Sequence, residues 1–182
     1  MAFAGAGTAS ATTLTCGGSA CAEGTTFHLQ SGSEEVPQKT VLDAPFGNVE
    51  CFWTVHGHIT GFFPPRIKLT SIIWTSCGSD SVVTLASGEL AISNISGTKD
   101  GTVTSTGMKV TIEHIGTHCI FETSNTDIGR LTGTTTTGGT SKLDISATLP
   151  RVGGRSGAFC GSSAPWTGSG SIDAPMSLDV DA

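Results

Sequence analysis

Between residues 141 and 149 the chain reads Ser-Lys-Leu-Asp-Ile-Ser-Ala-Thr-Leu, and from Lys142 on polar and apolar residues alternate strictly. A side-chain period of two belongs to a strand with one buried face, because successive Cβ atoms point to opposite sides of the pleat. Leu143, Ile145, Ala147 and Leu149 are therefore expected inward, and Lys142, Asp144, Ser146 and Thr148 outward. The same period recurs over 49–59, with Val49, Cys51, Trp53, Val55 and Ile59 on one side and Glu50, Thr54, His56 and His58 on the other. In the segment after it, Ile67, Leu69, Ile73 and Cys77 are expected to share the inner face. No segment holds a 3.6-residue apolar period for three turns, so a helical core is excluded.

Short alternating segments continue from Thr12 to Val180, separated by turn residues. Ser87-Gly88, Thr106-Gly107, Gly116-Thr117 and Gly138-Gly139 read as hairpin tips. The 25 glycines and abundant threonine suit turns and half-buried strands, while charged residues supply only 13% of the 182 positions. The reading is one all-β domain over residues 12–182, a single antiparallel β-sandwich or barrel-like domain braced by disulfides. Residues 1–11 have little to pack and are expected to form a flexible N-terminal arm.

The six cysteines are Cys16, Cys21, Cys51, Cys77, Cys119 and Cys160. None forms a CxxC pair, so zinc-ribbon spacing is absent, and an even count on strands suits disulfides in an oxidising compartment. Cys51 and Cys77 lie on the inner sides of consecutive strands and are the preferred pair. Cys119 with Cys160 and Cys16 with Cys21 complete the set, other connectivities staying open. The expected location is secreted, extracellular. Met1 precedes a small apolar stretch without a basic region, which reads as an initiator methionine before a mature N-terminus. A cytoplasmic or virion protein starting at Met1 is the alternative.

The net charge of −6, with nine scattered basic residues, argues against a phosphate-tracking surface, so no nucleic acid is expected as a partner. No apolar run approaches the roughly 20 residues of a membrane helix, so no membrane span is expected.

Several stretches read together: Gly-Thr-His-Cys-Ile-Phe at 116–121, Thr-Asp-Ile-Gly-Arg-Leu-Thr-Gly at 126–133, the run from 143 through the Ala-Phe-Cys-Gly ending at 161, and Trp-Thr-Gly-Ser at 166–169. With Pro-Phe-Gly-Asn-Val-Glu-Cys at 45–51 and Thr-Ser-Cys at 75–77, the chain over 45–182 resembles a family of uncharacterised secreted β-rich proteins from soil actinobacteria. The resemblance implies export and a β-rich domain, and it brings no activity and no catalytic residue.

Residue patterns that carry chemistry are few in this chain. No Gly-x-Ser-x-Gly occurs, and Gly154-Arg155-Ser156-Gly157 lacks the spacing of a nucleophile elbow. His118 and Cys119 are neighbours on a strand and point to opposite faces, which argues against a thiol–imidazole pair. Glu34-Glu35 sits in a loop, aromatic platforms for a sugar are scarce, and there is no tyrosine. Phe62 and Phe63 at a Gly61-led turn are expected to plug one end of the domain. Asp179-Val180-Asp181 has the ligand type for calcium, though a terminal acidic pair is usually solvated. His56-x-His58 places two imidazoles about 7 Å apart on one strand face, a spacing zinc or copper can use. A third ligand would come from His28, His114, His118 or a carboxylate.

The leading expectation is a secreted, non-catalytic extracellular β-domain acting through its surface, by cell-envelope self-assembly or by binding an extracellular ligand. The alternative is a secreted metal-binding protein or metalloenzyme centred on His56 and His58, with zinc or copper as cofactor.

Overall fold

A computed structural model describes residues 12–32, 38–154 and 159–181. The expected arm over 1–11, the Glu34-Glu35 loop and Ser156 lie outside these residues. The chain forms β1 (Thr13–Cys16), β2 (Ser19–Ala20), β3 (Thr26–Gln30), β4 (Thr40–Ala44), β5 (Gly47–Phe62), β6 (Pro65–Thr75), β7 (Ser81–Ala86) and β8 (Glu89–Asn94). It continues through β9 (Gly101–Thr106), β10 (Lys109–His114), β11 (Thr117–Glu122), β12 (Thr126–Thr132), β13 (Ser141–Gly154), β14 (Ser163–Ala174) and β15 (Leu178–Asp181). The fold is all-β. Eight strands, in the order β3-β5-β6-β8-β9-β12-β13-β14 and back to β3, close an antiparallel barrel.

The long strands β5, β6, β13 and β14 run past the barrel and carry a second layer. There β4 takes the place of β3 between β5 and β14, while β11, β10 and β7 extend from the far end of β13. The seam between β7 and β6 is crossed by side chains: Thr84 Oγ1 donates to the Ile72 carbonyl at 2.8 Å, and Trp74 Nε1 donates to Thr84 Oγ1 at 3.0 Å. A small sheet β15-β1-β2 lies at one end of the barrel, where Leu178 joins the interior. Toward the other end the chain's three tryptophans meet: Trp53 stands edge-on to Trp166 with centroids 5.3 Å apart, and Trp74 lies 6.1 Å from Trp53.

The burial pattern of β13 follows the alternation, with Leu143, Ile145, Ala147 and Leu149 buried. Across the barrel strands the inner face is apolar and the outer face polar, with Thr102, Asp127, Asp144 and Ser146 exposed. That is the reverse of a lipid-facing barrel, whose outer band is apolar.

One inward assignment changes. His56 pairs with Ser71 and Gly57 with Leu69, so Thr70 is an extra residue on β6. A bulge of one residue inverts the parity of everything beyond it. Ile72 is therefore buried at 5% exposure, and Ile73, expected inside, is 48% exposed. Gly57 faces the interior, and the position requires glycine because a Cβ there would lie 2.6 Å from the Lys68 carbonyl oxygen.

Two of the four hairpin tips also change. Gly116 and Gly138-Gly139 join paired neighbours, β10 with β11 and β12 with β13. At Ser87-Gly88 and Thr106-Gly107 the chain instead crosses between the second layer and the barrel, since β7 pairs with β10 and β8 with β9. The two crossings touch: a Cβ on Gly88, at φ +74, would lie 2.4 Å from the Met108 nitrogen.

Three disulfides join Cys16 to Cys21, Cys51 to Cys77 and Cys119 to Cys160. The second ties β5 to the segment leaving β6, and the third ties β11 to the segment entering β14.

Asp100, in the turn between β8 and β9, accepts from Arg130 Nη2 at 2.5 Å and from the Gly133 backbone N–H at 3.0 Å. The Arg130 guanidinium, and after it the Gly133 amide, hold its carboxyl below the usual carboxylate range against the opposing effect of burial. A depressed folded value means that the stabilisation is complete above the unfolded value and is lost as pH falls through the folded one. Asp100→Asn is expected to cost about 1 kcal/mol at neutral pH. Melting curves of the two proteins should converge in acid. A gap that stays constant down to the acid limit would contradict this account.

Candidate functional site

The alternation of β3 turns Thr26, His28 and Gln30 outward over buried Phe27 and Leu29, and the alternation of β5 does the same for Thr54, His56 and His58. Antiparallel register then sets His28 directly opposite His56, and Thr26 opposite His58. On the other side of β3, an irregularity in β14 between Ile172 and Ala174 turns Asp173 out beside His28. A row of polar side chains results across three strands of the barrel wall.

Within this row His28 Nδ1 is hydrogen-bonded to Asp173 Oδ1, and Gln30 Nε2 donates to Asp173 Oδ2 at 3.2 Å. The carboxylate is thus held from both neighbours. The rings of His28 and His56 lie with centroids 4.6 Å apart and planes tilted by 35°. His28 is the more sheltered of the two, its side chain 22% exposed against 43% for Asp173. A carboxylate on one ring nitrogen fixes the tautomer and leaves the other nitrogen for a proton or a metal.

His56 and His58, expected to act together, share a face as the alternation requires. In the β5–β6 register His58 stands opposite Lys68 and His56 opposite Ser71, so the ring beside His56 is that of His28. The other two histidines are far from this row. His114 is bonded to Asp80 at 2.5 Å and stacks on Phe46 with centroids 4.9 Å apart, and His118 pairs with Glu113 at 3.1 Å. Among the described residues no three His, Cys, Asp or Glu side chains gather as a metal-binding group.

The remaining candidates resolve as structure. Cys119 is bonded to Cys160 and is no thiol. Asp179 is buried, accepts from Thr15 Oγ1, and lies 3.8 Å from Lys99 Nζ, which also bonds Asp181. The C-terminal acidic pair therefore shares one ammonium and clamps β15 to the β8–β9 turn, where Val180 donates to the Lys99 carbonyl at 3.0 Å. Phe63 does not plug the domain: it is 72% exposed at the β5–β6 turn.

Sequence reasoning counted His28 among the possible third ligands but missed Asp173 and the direct pairing of His28 with His56. The outward parity of His28 was legible in β3, but the register that sets it against His56 joins segments with no local link. Asp173 owes its direction to a backbone irregularity that no residue type announces.

The barrel interior is filled. Phe27, Ile67, Ile92, Leu131, Leu143 and Leu178 are among the residues around a residual cavity of about 10 Å³. An apolar patch lies on the outside of the second layer, where Ile73, Val83 and Leu85 are 48%, 43% and 52% exposed. Strand β7 ends the sheet order and carries no charged residue.

Comparison with protein-family models, with curated proteins and with solved structures finds no match to the chain.

Proposed function

We propose that this chain is a secreted, non-catalytic extracellular domain that acts through its outer surface, by binding a ligand or by self-association. The observation that carries this reading is the filled interior. An eight-stranded barrel is just wide enough either for side chains to fill it or for one small ligand, and here apolar side chains leave about 10 Å³. Whatever the chain binds is met on the outside. Three disulfides support an oxidising location, where such crosslinks form and persist. Saturable uptake of an apolar fluorophore, quenched by the buried tryptophans, would contradict this reading.

Self-association is favoured by the patch around the β6–β7 seam. The free edge of β7 is covered by β6 through Thr84, so the outward apolar side chains are what the seam offers to a second copy. Ser81–Ala86 has no charge and no proline, and it presents Val83 and Leu85 outward. Size-exclusion with light scattering is expected to show a mass that rises with concentration. Leu85→Lys should hold the protein monomeric at an unchanged melting temperature, because the side chain is half exposed. A strict monomer over a hundredfold range of concentration would remove self-association and leave ligand binding.

A further inference from the structure

We propose that His28 and His56 form an open surface site for a divalent first-row transition ion, copper(II) foremost, with Asp173 orienting His28 from behind. This site stands independently of the self-association reading, since it uses the barrel wall and not the β6–β7 seam.

Backbone register comes first. His28 and His56 are direct partners on antiparallel strands, both facing out, so two imidazoles rise side by side from a rigid, doubly paired wall. Their ring centroids are 4.6 Å apart. With metal–nitrogen bonds of about 2.0–2.1 Å and a ring centre about 1.1 Å behind each nitrogen, two imidazoles bound at a right angle have centroids about 4.5 Å apart; at the tetrahedral angle the separation is about 5.2 Å. At 4.6 Å the two rings are in contact, close enough for side-chain rotation on the outer wall to bring one nitrogen of each to a shared ion. The right-angle arrangement of tetragonal copper(II) needs the smaller change in separation. Among divalent ions of the row, copper also binds nitrogen donors most tightly.

The orientation of His28 is the second observation. Its Nδ1 is engaged by Asp173, whose other oxygen is held by Gln30. With Nδ1 engaged by Asp173, Nε2 is the nitrogen left for a metal. An outer carboxylate of this kind fixes the tautomer and raises the basicity of the ligating nitrogen.

The third observation is the environment of the alternative partner. Lys68, a cationic residue, is the cross-strand partner of His58, whereas the neighbour across from His56 on β6 is the neutral Ser71. With two protein ligands, the other coordination positions belong to water or to a molecule from solution.

Titration of tag-free protein with copper(II), followed by electron paramagnetic resonance, tests the site. One equivalent is expected to give a tetragonal spectrum split by two imidazole nitrogens, and excess copper should raise the melting temperature by several degrees. His28→Asn and His56→Asn should each weaken binding by roughly tenfold or more and remove one nitrogen from the splitting. Asp173→Asn should weaken binding by about tenfold while keeping both nitrogens, the signature of an orienting partner. His58→Asn should change neither. These are outer-wall substitutions, and circular dichroism of the metal-free variants verifies the fold. Wild-type binding without imidazole splitting, undiminished binding in His28→Asn, or loss of the two-nitrogen spectrum in His58→Asn would each overturn the proposal.

Discussion

Replacing Trp166 by alanine is expected to cost about 4 kcal/mol and to lower the melting temperature by roughly 10 °C. Trp166 is 1% exposed and stands where β14 meets β4. That junction is short, pairing Trp166 with Leu42 and Thr167 with Val41, so side chains do much of the joining. The indole Nε1 donates to Thr40 Oγ1 at 2.6 Å, and Thr40 Oγ1 in turn donates to the Thr167 carbonyl at 2.8 Å. The ring also lies edge-on to Trp53 and 6.0 Å from Trp74. Alanine removes the ring, opens a void among two other indoles, and takes the donor from a hydroxyl that is completely buried. Trp166→Phe separates these effects. It keeps most of the ring and should cost about 1–2 kcal/mol, the cost of leaving the Thr40 oxygen short of a donor. Urea unfolding measures both, read as midpoint shifts at constant slope. A loss below about 2 kcal/mol for the alanine variant would mean that the second layer is not held at this point.

Removing the Cys119–Cys160 bond is expected to be as damaging. Its partners are 41 residues apart in sequence, and closing such a loop restricts the unfolded chain by about 4 kcal/mol in the chain-entropy model. For Cys51–Cys77, separated by 26 residues, the same relation gives about 3.5 kcal/mol. For Cys16–Cys21, five apart, it gives about 2 kcal/mol. The double alanine variants should therefore melt in that order, with the 119/160 variant lowest. Cys119 and Cys160 are also fully buried, so alanine adds a small packing loss in the same direction. Calorimetry of the three variants checks the order. The account fails if the 16/21 variant proves the least stable.

Much of this architecture was legible because burial writes itself into a period of two. Over 49–59 and 141–149 the alternation assigns every face as the fold has it, and it places His56 and His58 on the outer wall. At β6 the period of two is interrupted. The bulge at Thr70 carries no residue signal, since threonine is at home on either face, and beyond it the inward residues are Ile72 and Trp74 in place of Ile73. Two long strands also run through prolines, β13 through Pro150 and β14 through Pro165. Each sits one residue before pairing begins on the strand's other side, at Arg151 with β11 and at Trp166 with β4, where a missing N–H costs little.

The site was legible only in half. Outward histidines follow from parity, but which histidine meets which depends on pairing between segments more than twenty residues apart, as His28 and His56 are. Parity is local and register is not. The same reason hid the barrel behind the choice between sandwich and barrel: closure rests on β3 pairing with both β5 and β14, and neither contact is local in sequence.

The central claim is a filled barrel, crosslinked for life outside the reducing cytosol and active from its surface. Alkylation of denatured, unreduced protein followed by intact-mass measurement tests it most directly. No added alkyl group before reduction, and all six cysteines modified after it, is the predicted result. Alkylation of most cysteines without reduction would contradict the claim and take the proposed extracellular role with it.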